Sequence, residues 1–408
     1  MSSKRSLYKT FLIWGLLVLI VFSFVWRLSL IKVPGHKGDF STYIFWLQTL
    51  DRPLQDFYPA TGSNYGALYP LFLLLQKNPI EFLINHAVDS DTARWMVFHL
   101  SFIIFDLLLV LGIYLVVKKY AGQSWALAAA ALYGVNPILY YASGQWGQAD
   151  SAVILSILLI FYLLWTEKYF WILPSVALSI LFKPTIIALL PFILLIMLFK
   201  KQYKSIVFGT IISIIITLVF SLPFFGINLV KIVGFYYSTL IKNDLTPQLA
   251  VGAKSLWFLF GEKHFDSIKF LGLSYKNIGL LLFLLTSFLA AWLPRKTKNR
   301  FLALSLGFSA VSFALYFLLT RSHERYQLFS FLPLIFLIIE ARTRIWASIL
   351  YLLSTITFAL VIMGIYWGNN TIWQKISMSG NAIVLINLAI FLAVIGMLWY
   401  YGADGKKS

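Results

Sequence analysis

The chain has 408 residues, of which 60% are hydrophobic and only 12% are charged, and its mean hydropathy is +0.83. These values lie outside the soluble range and predict an all-α, polytopic membrane protein. The chain contains no cysteine, which excludes disulfides and thiolate metal sites. We expect no metal and no cofactor, because the five histidines show no paired metal-ligand spacing. The net charge of +18 follows membrane topology and does not predict nucleic-acid binding.

Apolar runs recur along the chain, and those of about twenty residues can cross a ~30 Å hydrocarbon core as helices. A shorter apolar piece at 67–76 contains Pro70 and is expected to return to the interface. We predict one domain, 1–408, with an N-terminal catalytic module at 1–225 and a more variable part at 226–408. About twelve spans are predicted, near residues 11–31, 92–117, 122–142, 150–166, 169–182, 185–199, 205–225, 271–293, 300–320, 327–340, 345–366 and 382–401.

Short basic clusters fix the expected orientation. They include Lys118-Lys119, Lys200-Lys201 and Arg295-Lys296, and in this count all fall on one side. By the positive-inside rule that side is the cytoplasm, so both termini are expected there. The long loops at 32–91, 226–270 and 367–381 then lie outside the cell membrane. A site on that side cannot use soluble nucleotide sugars.

The first outer loop carries the best candidate for chemistry, Asp39. Phe40, Tyr43 and Leu47 follow it at helical spacing, which predicts an amphipathic interfacial helix. Asp39 either caps this helix or serves as a reactive carboxylate, and its position alone does not choose between them. Asn64 and Tyr65, further along the loop, suit sugar hydroxyls and ring faces.

Two further polar islands lie between predicted spans. In the first, Trp146 offers a stacking face, while Gln148 and Asp150 offer hydrogen bonds. The alternative is an interfacial aromatic with Asp150 as a helix N-cap. In the second, Lys183 precedes Pro184 and could meet an anion near the outer interface. The alternative for Lys183 is snorkelling toward lipid headgroups.

The fourth island, at 321–326, places several ionisable groups at a span junction, where such groups are expensive. Arg321 and Arg325 are predicted to lie one helical turn apart, suited to clamping phosphate oxygens. Glu324 could orient either arginine, and His323 could add a further cation. Tyr326 completes the motif. The alternative is a purely structural cluster of ion pairs.

These motifs carry a resemblance. Trp146–Ser151, Leu181–Pro184 and His323–Tyr326, in this order, resemble the bacterial mannosyltransferase family related to the second mannosyltransferase of GPI-anchor assembly. That family belongs to the GT-C superfamily of multispanning glycosyltransferases. Gly38–Tyr43 resembles the acidic motif in the first loop of GT-C enzymes. Ala149 departs from the pattern, because relatives often carry an aromatic residue there.

The resemblance implies a function. GT-C enzymes take a sugar from a polyprenyl phosphate on the extracytoplasmic side and transfer it with inversion to a glycan, lipid or protein acceptor. Mannose or another hexose is implied here. Asp39 inherits the role of general base, with Asp150 as the other candidate. Lys183, Arg325, His323 and Arg321 inherit contacts with the donor phosphate.

Two other classes of function stay open. A flippase or transporter of lipid-linked glycans would also carry buried charges, but it should show two related halves, and no internal repeat is found. A non-catalytic membrane subunit would use the polar islands to bind partners or lipids. It would tolerate substitution of Asp39.

Overall fold

A computed structural model describes residues 2–29, 31, 36–242, 247–367 and 380–403. Within these residues helices dominate, which confirms the predicted all-α, polytopic membrane class. Most of the predicted loop at 367–381 lies outside the described residues. The chain divides into two compact units, Met1–Ile187 with Lys204–Asn243, and Ala188–Tyr203 with Asp244–Ser408.

In the described part of the first unit, every regular secondary-structure element is a helix. Its helices are α1 (Ser2–Ser29), α2 (Lys37–Thr49), α3 (Phe57–Thr61), α4 (Leu68–Asn85), α5 (Ser90–Ala121), α6 (Gln123–Gly134), α7 (Pro137–Gly144), α8 (Asp150–Trp165), α9 (Ile172–Phe182), α11 (Tyr203–Phe225) and α12 (Leu229–Tyr237). Short 3₁₀ helices cover Leu54–Asp56, Tyr169–Trp171 and Pro184–Leu189. A π-helical turn, Ser238–Lys242, follows α12.

The second unit adds small strands to its helices. The helices are α10 (Leu190–Phe199), α13 (Tyr275–Trp292), α14 (Arg300–Phe317), α15 (Phe331–Ile339), α16 (Arg344–Trp367) and α17 (Gly380–Gly402), with 3₁₀ helices at Leu256–Phe260, Leu293–Lys296 and Glu324–Ser330. Two-residue strands form two pairs: β1 (Ala250–Val251) runs parallel to β4 (Ser322–His323), and β2 (Lys269–Phe270) runs antiparallel to β3 (Leu273–Ser274). The sequence did not predict these strands.

Seven of the described helices are long and apolar enough to cross a membrane. They are Thr10–Ser29, Ser90–Ala121, Tyr203–Phe225, Tyr275–Lys296, Arg300–Phe317, Arg344–Gly364 and Gly380–Gly402. Each overlaps a predicted span. Four shorter apolar helices, Asp150–Trp165, Tyr169–Phe182, Pro184–Phe199 and Leu229–Leu240, accompany them. Three of these four match predicted spans, whereas Leu229–Leu240 lies in the predicted outer loop.

Two predicted spans are interrupted for local reasons. The run 122–142 breaks between α6 and α7. There the Asn136 side chain accepts a hydrogen bond from the amide of Ile138, and Pro137 is the first residue of the new helix. The run 327–340 begins as a 3₁₀ helix and becomes α-helical only at Phe331. The piece predicted at 67–76 is longer than expected, because α4 continues to Asn85 in spite of Pro79.

Each unit has its own core. In the first unit the segment between α1 and α5 packs through an aromatic cluster that includes Tyr43, Trp46, Phe57 and Tyr69, all buried. In the second unit α14 is the central helix: its residues from 301 to 317 are buried, except Ala303, which is half-buried. The aromatic cluster fixes α2 and α4, and therefore fixes the segments that carry Asp39 and Tyr65.

Candidate active site

Asp39 lies in the first turn of α2 and does not cap it. The helix begins at Lys37, and His36 is the cap: its Nδ1 accepts a hydrogen bond from the amide of Asp39 at 3.2 Å. This geometry excludes the capping alternative raised from the sequence. The carboxylate of Asp39 is therefore available for contacts outside its own helix.

Two side chains from a distant loop hold one oxygen of that carboxylate. The indole Nε1 of Trp146 donates to Oδ2 of Asp39 at 2.7 Å, and Nε2 of Gln148 donates to the same oxygen. Nδ1 of His36 lies 3.5 Å from Oδ2. Among the described residues, no hydrogen bond or ion pair reaches Oδ1 of Asp39. The side chain of Asp39 is 30% exposed.

The loop that follows α7 carries both donors in a fixed conformation. The amide of Trp146 donates to the carbonyl of Tyr141 at 3.0 Å, and the amide of Gln148 donates to that of Ala142 at 3.2 Å. Gln148 also accepts a hydrogen bond from the Tyr43 hydroxyl at 3.4 Å, which joins the loop to α2. The Trp146–Gln148 segment is thus a support for Asp39, a role that the sequence left open.

His99 is a residue of this region that the sequence reading missed. It is buried on α5, with Nε2 3.1 Å from the carbonyl oxygen of Gln145 and Nδ1 2.8 Å from that of Trp95. Gly147 has a φ of +73°, and a Cβ there would lie 3.0 Å from the His99 ring. Only glycine fits both conditions. A lone histidine inside an apolar run was the available signal.

Lys183 and Asp150 form a buried ion pair at 2.5 Å. Lys183 is the C-cap residue of α9 and is 4% exposed, so it does not snorkel to an interface. Asp150 is the first residue of α8 and its side chain makes no cap, so the N-cap alternative is also wrong. The two islands at 146–150 and 183–184 are one structural feature.

Tyr65 covers this ion pair with an aromatic face. Nζ of Lys183 lies 5.9 Å from the centre of the Tyr65 ring, within reach of a cation–π contact. The ring also packs on Tyr69 at 4.5 Å, and burial raises the pKa of the Tyr69 phenol well above its ordinary value. Asn64, the preceding residue, is half-buried in the same loop.

Gly66 allows this loop to approach α9. A Cβ on Gly66 would lie 2.5 Å from both Cα and the carbonyl oxygen of Leu181, two residues before Lys183. No side chain can be placed at that distance from a backbone. The close approach therefore sets the position of Tyr65 beside Lys183.

In the second unit the 321–326 motif is not one helical turn. Arg321 has a φ of +61° and precedes the strand β4, so it does not lie a turn away from Arg325 on a helix. Its Nε and Nη2 bind the two carboxylate oxygens of Asp266 at 2.7 and 3.1 Å. Thr320 donates to the same carboxylate at 3.1 Å. Arg321 thereby fastens the motif to the 247–274 segment, a partnership that the sequence did not predict.

The rest of the motif is held by neighbours in the same unit. Glu324 is buried and accepts a hydrogen bond from Nη1 of Arg325 at 3.0 Å. A Cβ on Gly252, which has a φ of +73°, would lie 2.6 Å from Oε2 of Glu324. The rings of His323 and Tyr326 meet edge to face at 5.3 Å. Of the two arginines that Glu324 was predicted to orient, it contacts Arg325.

The structure brings most of the predicted site residues together within their own units. The first unit groups Asp39 with Trp146 and Gln148, and Asp150 with Lys183 and Tyr65. The second unit groups Glu324 with Arg325, and His323 with Tyr326, while Arg321 turns to Asp266.

Comparison with known families adds one finding. Residues 89–230 match the family model described as dolichyl-phosphate-mannose-protein mannosyltransferase. The matched stretch contains Trp146, Gln148, Asp150 and Lys183. No curated protein matches the chain, and the predicted likeness to the second GPI mannosyltransferase is not confirmed. The similarity supports a membrane glycosyltransferase of the mannosyltransferase type within the GT-C superfamily.

Proposed function

We propose that the protein transfers a sugar, mannose or another hexose, from a polyprenyl-phosphate-linked donor to a glycan, lipid or protein acceptor. The reaction takes place on the extracytoplasmic face, with inversion at the anomeric carbon and Asp39 as general base. The observation that carries the proposal is the asymmetry of the Asp39 carboxylate. Trp146 and Gln148 hold Oδ2, whereas no hydrogen bond from the described residues reaches Oδ1. Oδ1 is therefore the oxygen proposed to meet the substrate.

The chemistry follows from that geometry. The acceptor hydroxyl attacks the anomeric carbon from the face opposite the phosphate, and Oδ1 of Asp39 takes its proton. The bond between the anomeric carbon and the phosphate oxygen breaks, and its electron pair leaves with the polyprenyl phosphate. A phosphate monoester is a good leaving group, so fixed cations near it can replace a general acid.

Lys183 is the cation proposed for this role in the first unit. Its ammonium lies 2.5 Å from a carboxylate oxygen of Asp150. Asp150 fixes the position of the ammonium in the folded protein, and Tyr65 covers one side. In this proposal Asp150 supports Lys183 and does not act as the base. Arg325, oriented by Glu324, and His323 are proposed phosphate ligands on the strength of their motif alone.

The test is donor turnover by the purified protein. The protein in lipid nanodiscs is incubated with short-chain polyprenyl phosphates carrying mannose, glucose, galactose or arabinose, and release of the polyprenyl phosphate is measured. We expect release from at least one hexose donor, and product of inverted anomeric configuration by NMR. Turnover only with a nucleotide sugar would contradict the proposal. Movement of an intact donor across a vesicle membrane without bond cleavage would favour a flippase.

A further inference from the structure

We propose that Arg27, Asp106, Ser143 and His99 are positioning residues for Trp146 and Gln148, and through them for Asp39. The inference rests on the proposed role of Asp39 as base. None of these four residues belonged to the site predicted from the sequence. They lie on α1, α5 and α7, and all are buried.

Asp106 is the centre of the arrangement. It lies in the middle of α5, where its Oδ2 accepts a hydrogen bond from Nε of Arg27 at 2.8 Å. Oγ of Ser143 donates to the same oxygen, and the hydroxyl of Tyr133 donates to Oδ1 at 3.1 Å. Both oxygens of Asp106 are therefore bound by side chains from three other helices. A buried carboxylate bound at both oxygens is held in one arrangement.

Arg27 extends the network to α6. Its Nη1 donates to the carbonyl oxygens of Gly134 and Ser23, each at 3.2 Å, and to the Ser23 hydroxyl. The guanidinium is fully buried, and Asp106 is its ion-pair partner. Because a buried charge without a partner is strongly unfavourable, this pair constrains where α1 and α5 meet.

The network ends directly at the loop that holds Asp39. Ser143 and Gly144 form the end of α7, and Gln145 to Gln148 follow without a gap. A Cβ on Gly144 would lie 3.2 Å from the carbonyl oxygen of Arg27, so the end of α7 rests on the backbone of α1. A shift of Ser143 is therefore passed to Trp146 and Gln148 within a few residues.

His99 holds the other side of the same loop. It precedes Asp106 by seven residues, so both side chains lie on one face of α5, about two turns apart. His99 contacts the carbonyl oxygen of Gln145 at 3.1 Å, and its ring fits against Gly147. Helix α5 therefore supports the loop at two points. Asp106 accepts a hydrogen bond from Ser143 just before the loop, and His99 contacts Gln145 within it.

This support has a functional consequence, because both bonds to Oδ2 of Asp39 come from side chains of this loop. A displacement of about 1 Å in a catalytic arrangement can cost a hundredfold in rate. The buried polar cluster therefore keeps the Asp39 carboxylate in its catalytic position, in addition to stabilising the fold.

The main test is Ser143→Ala, which removes one hydroxyl and leaves the Arg27–Asp106 pair in place. We expect kcat to fall roughly ten- to a hundredfold with an unchanged KM for the donor. Ser156→Ala is the matched control, because it removes a serine hydroxyl from α8 that bonds only its own helix, at Ala152. In the Gln148→Ala background, Ser143→Ala should cause little further loss, since both changes remove the same support. An unchanged kcat, or full additivity with Gln148→Ala, overturns the proposal.

A second readout does not depend on turnover. Hydrogen–deuterium exchange of backbone amides at 144–149 should be faster in Ser143→Ala and in Asp106→Asn than in wild type, and unchanged in Ser156→Ala. Equal exchange in all four proteins would overturn the positioning role. If the wild type transfers no sugar, the proposed function fails, whereas faster exchange would still show that the network holds the loop. If Asp106→Asn does not fold, Ser143→Ala decides alone.

Discussion

Trp146 and Asp39 are 107 residues apart in the chain, and the indole of the first donates to Oδ2 of the second at 2.7 Å. A carboxylate that is held in place at one oxygen is suited to serve as a general base through the other. This contact joins the loop that carries Asp39 to the loop after α7, which lies within the family match at 89–230.

Asp39→Asn should lower sugar transfer by roughly 10²–10⁴-fold while the protein stays folded. The amide oxygen of asparagine can still accept from Trp146, but asparagine cannot take a proton. Donor turnover and thermal unfolding in detergent are the measurements. Asp56→Asn is the matched control, since Asp56 is an exposed carboxylate of the same loop. Wild-type turnover by Asp39→Asn would show that another group is the base.

Lys183→Ala and Asp150→Ala should each destabilise the protein by about 3–5 kcal/mol, because each leaves one buried charge without its partner. The double variant Lys183→Met/Asp150→Leu should regain much of that stability and stay defective in donor turnover. Thermal unfolding and turnover are compared across the three proteins. A double variant with both stability and turnover restored would make the pair purely structural.

Substitution of Arg321 should mainly affect thermal stability, whereas substitution of Arg325 should mainly affect donor turnover. Arg321→Ala should lower thermal stability as much as Asp266→Ala does, because the two residues form one bidentate pair. Arg325→Ala should mainly reduce donor turnover, and Arg325→Lys should restore it only in part, since lysine lacks the planar fork. Loss of turnover in Arg321→Ala without loss of stability would instead support the phosphate contact predicted for Arg321 from the sequence.

Gly66→Ala should displace the Tyr65 loop from α9 and cost roughly 1–3 kcal/mol of stability, as overpacking against a backbone does. Turnover should fall as well, because Tyr65 then moves away from Lys183. Gly234→Ala is the control: it lies on α12, and its Cβ would have no neighbour within 4 Å. A Gly66→Ala protein with wild-type unfolding temperature would contradict the close approach.

The orientation is testable by labelling single cysteines, since the chain has none of its own. Cysteines at Lys200 and Lys298 should react only after the membrane is made permeable, whereas cysteines at Gln55 and Lys269 should react in intact cells. All four positions are exposed, so access to the reagent is not limited by packing. Reaction of Gln55 only after permeabilisation would place Asp39 on the cytoplasmic side and contradict the proposed donor.

Composition and apolar length were enough to predict the membrane class and most of the long helices, because burying a helix in lipid is a property of each segment by itself. Local chemistry was also readable where it depended on neighbours in sequence, as in the break at Asn136 and Pro137. Arg27 and Asp106 interrupt the predicted spans 11–31 and 92–117, so a signal for the buried pair was present in the sequence.

Tertiary structure alone decided which polar groups meet. From the sequence, Asp150 could cap a helix or offer hydrogen bonds, and Lys183 could snorkel or meet an anion, whereas packing places the two side chains 2.5 Å apart. The ion pair of Arg321 with Asp266, 55 residues away, could not be read from the sequence either. A side chain's partner depends on the packing of distant helices to within an ångström, and no local pattern encodes that distance.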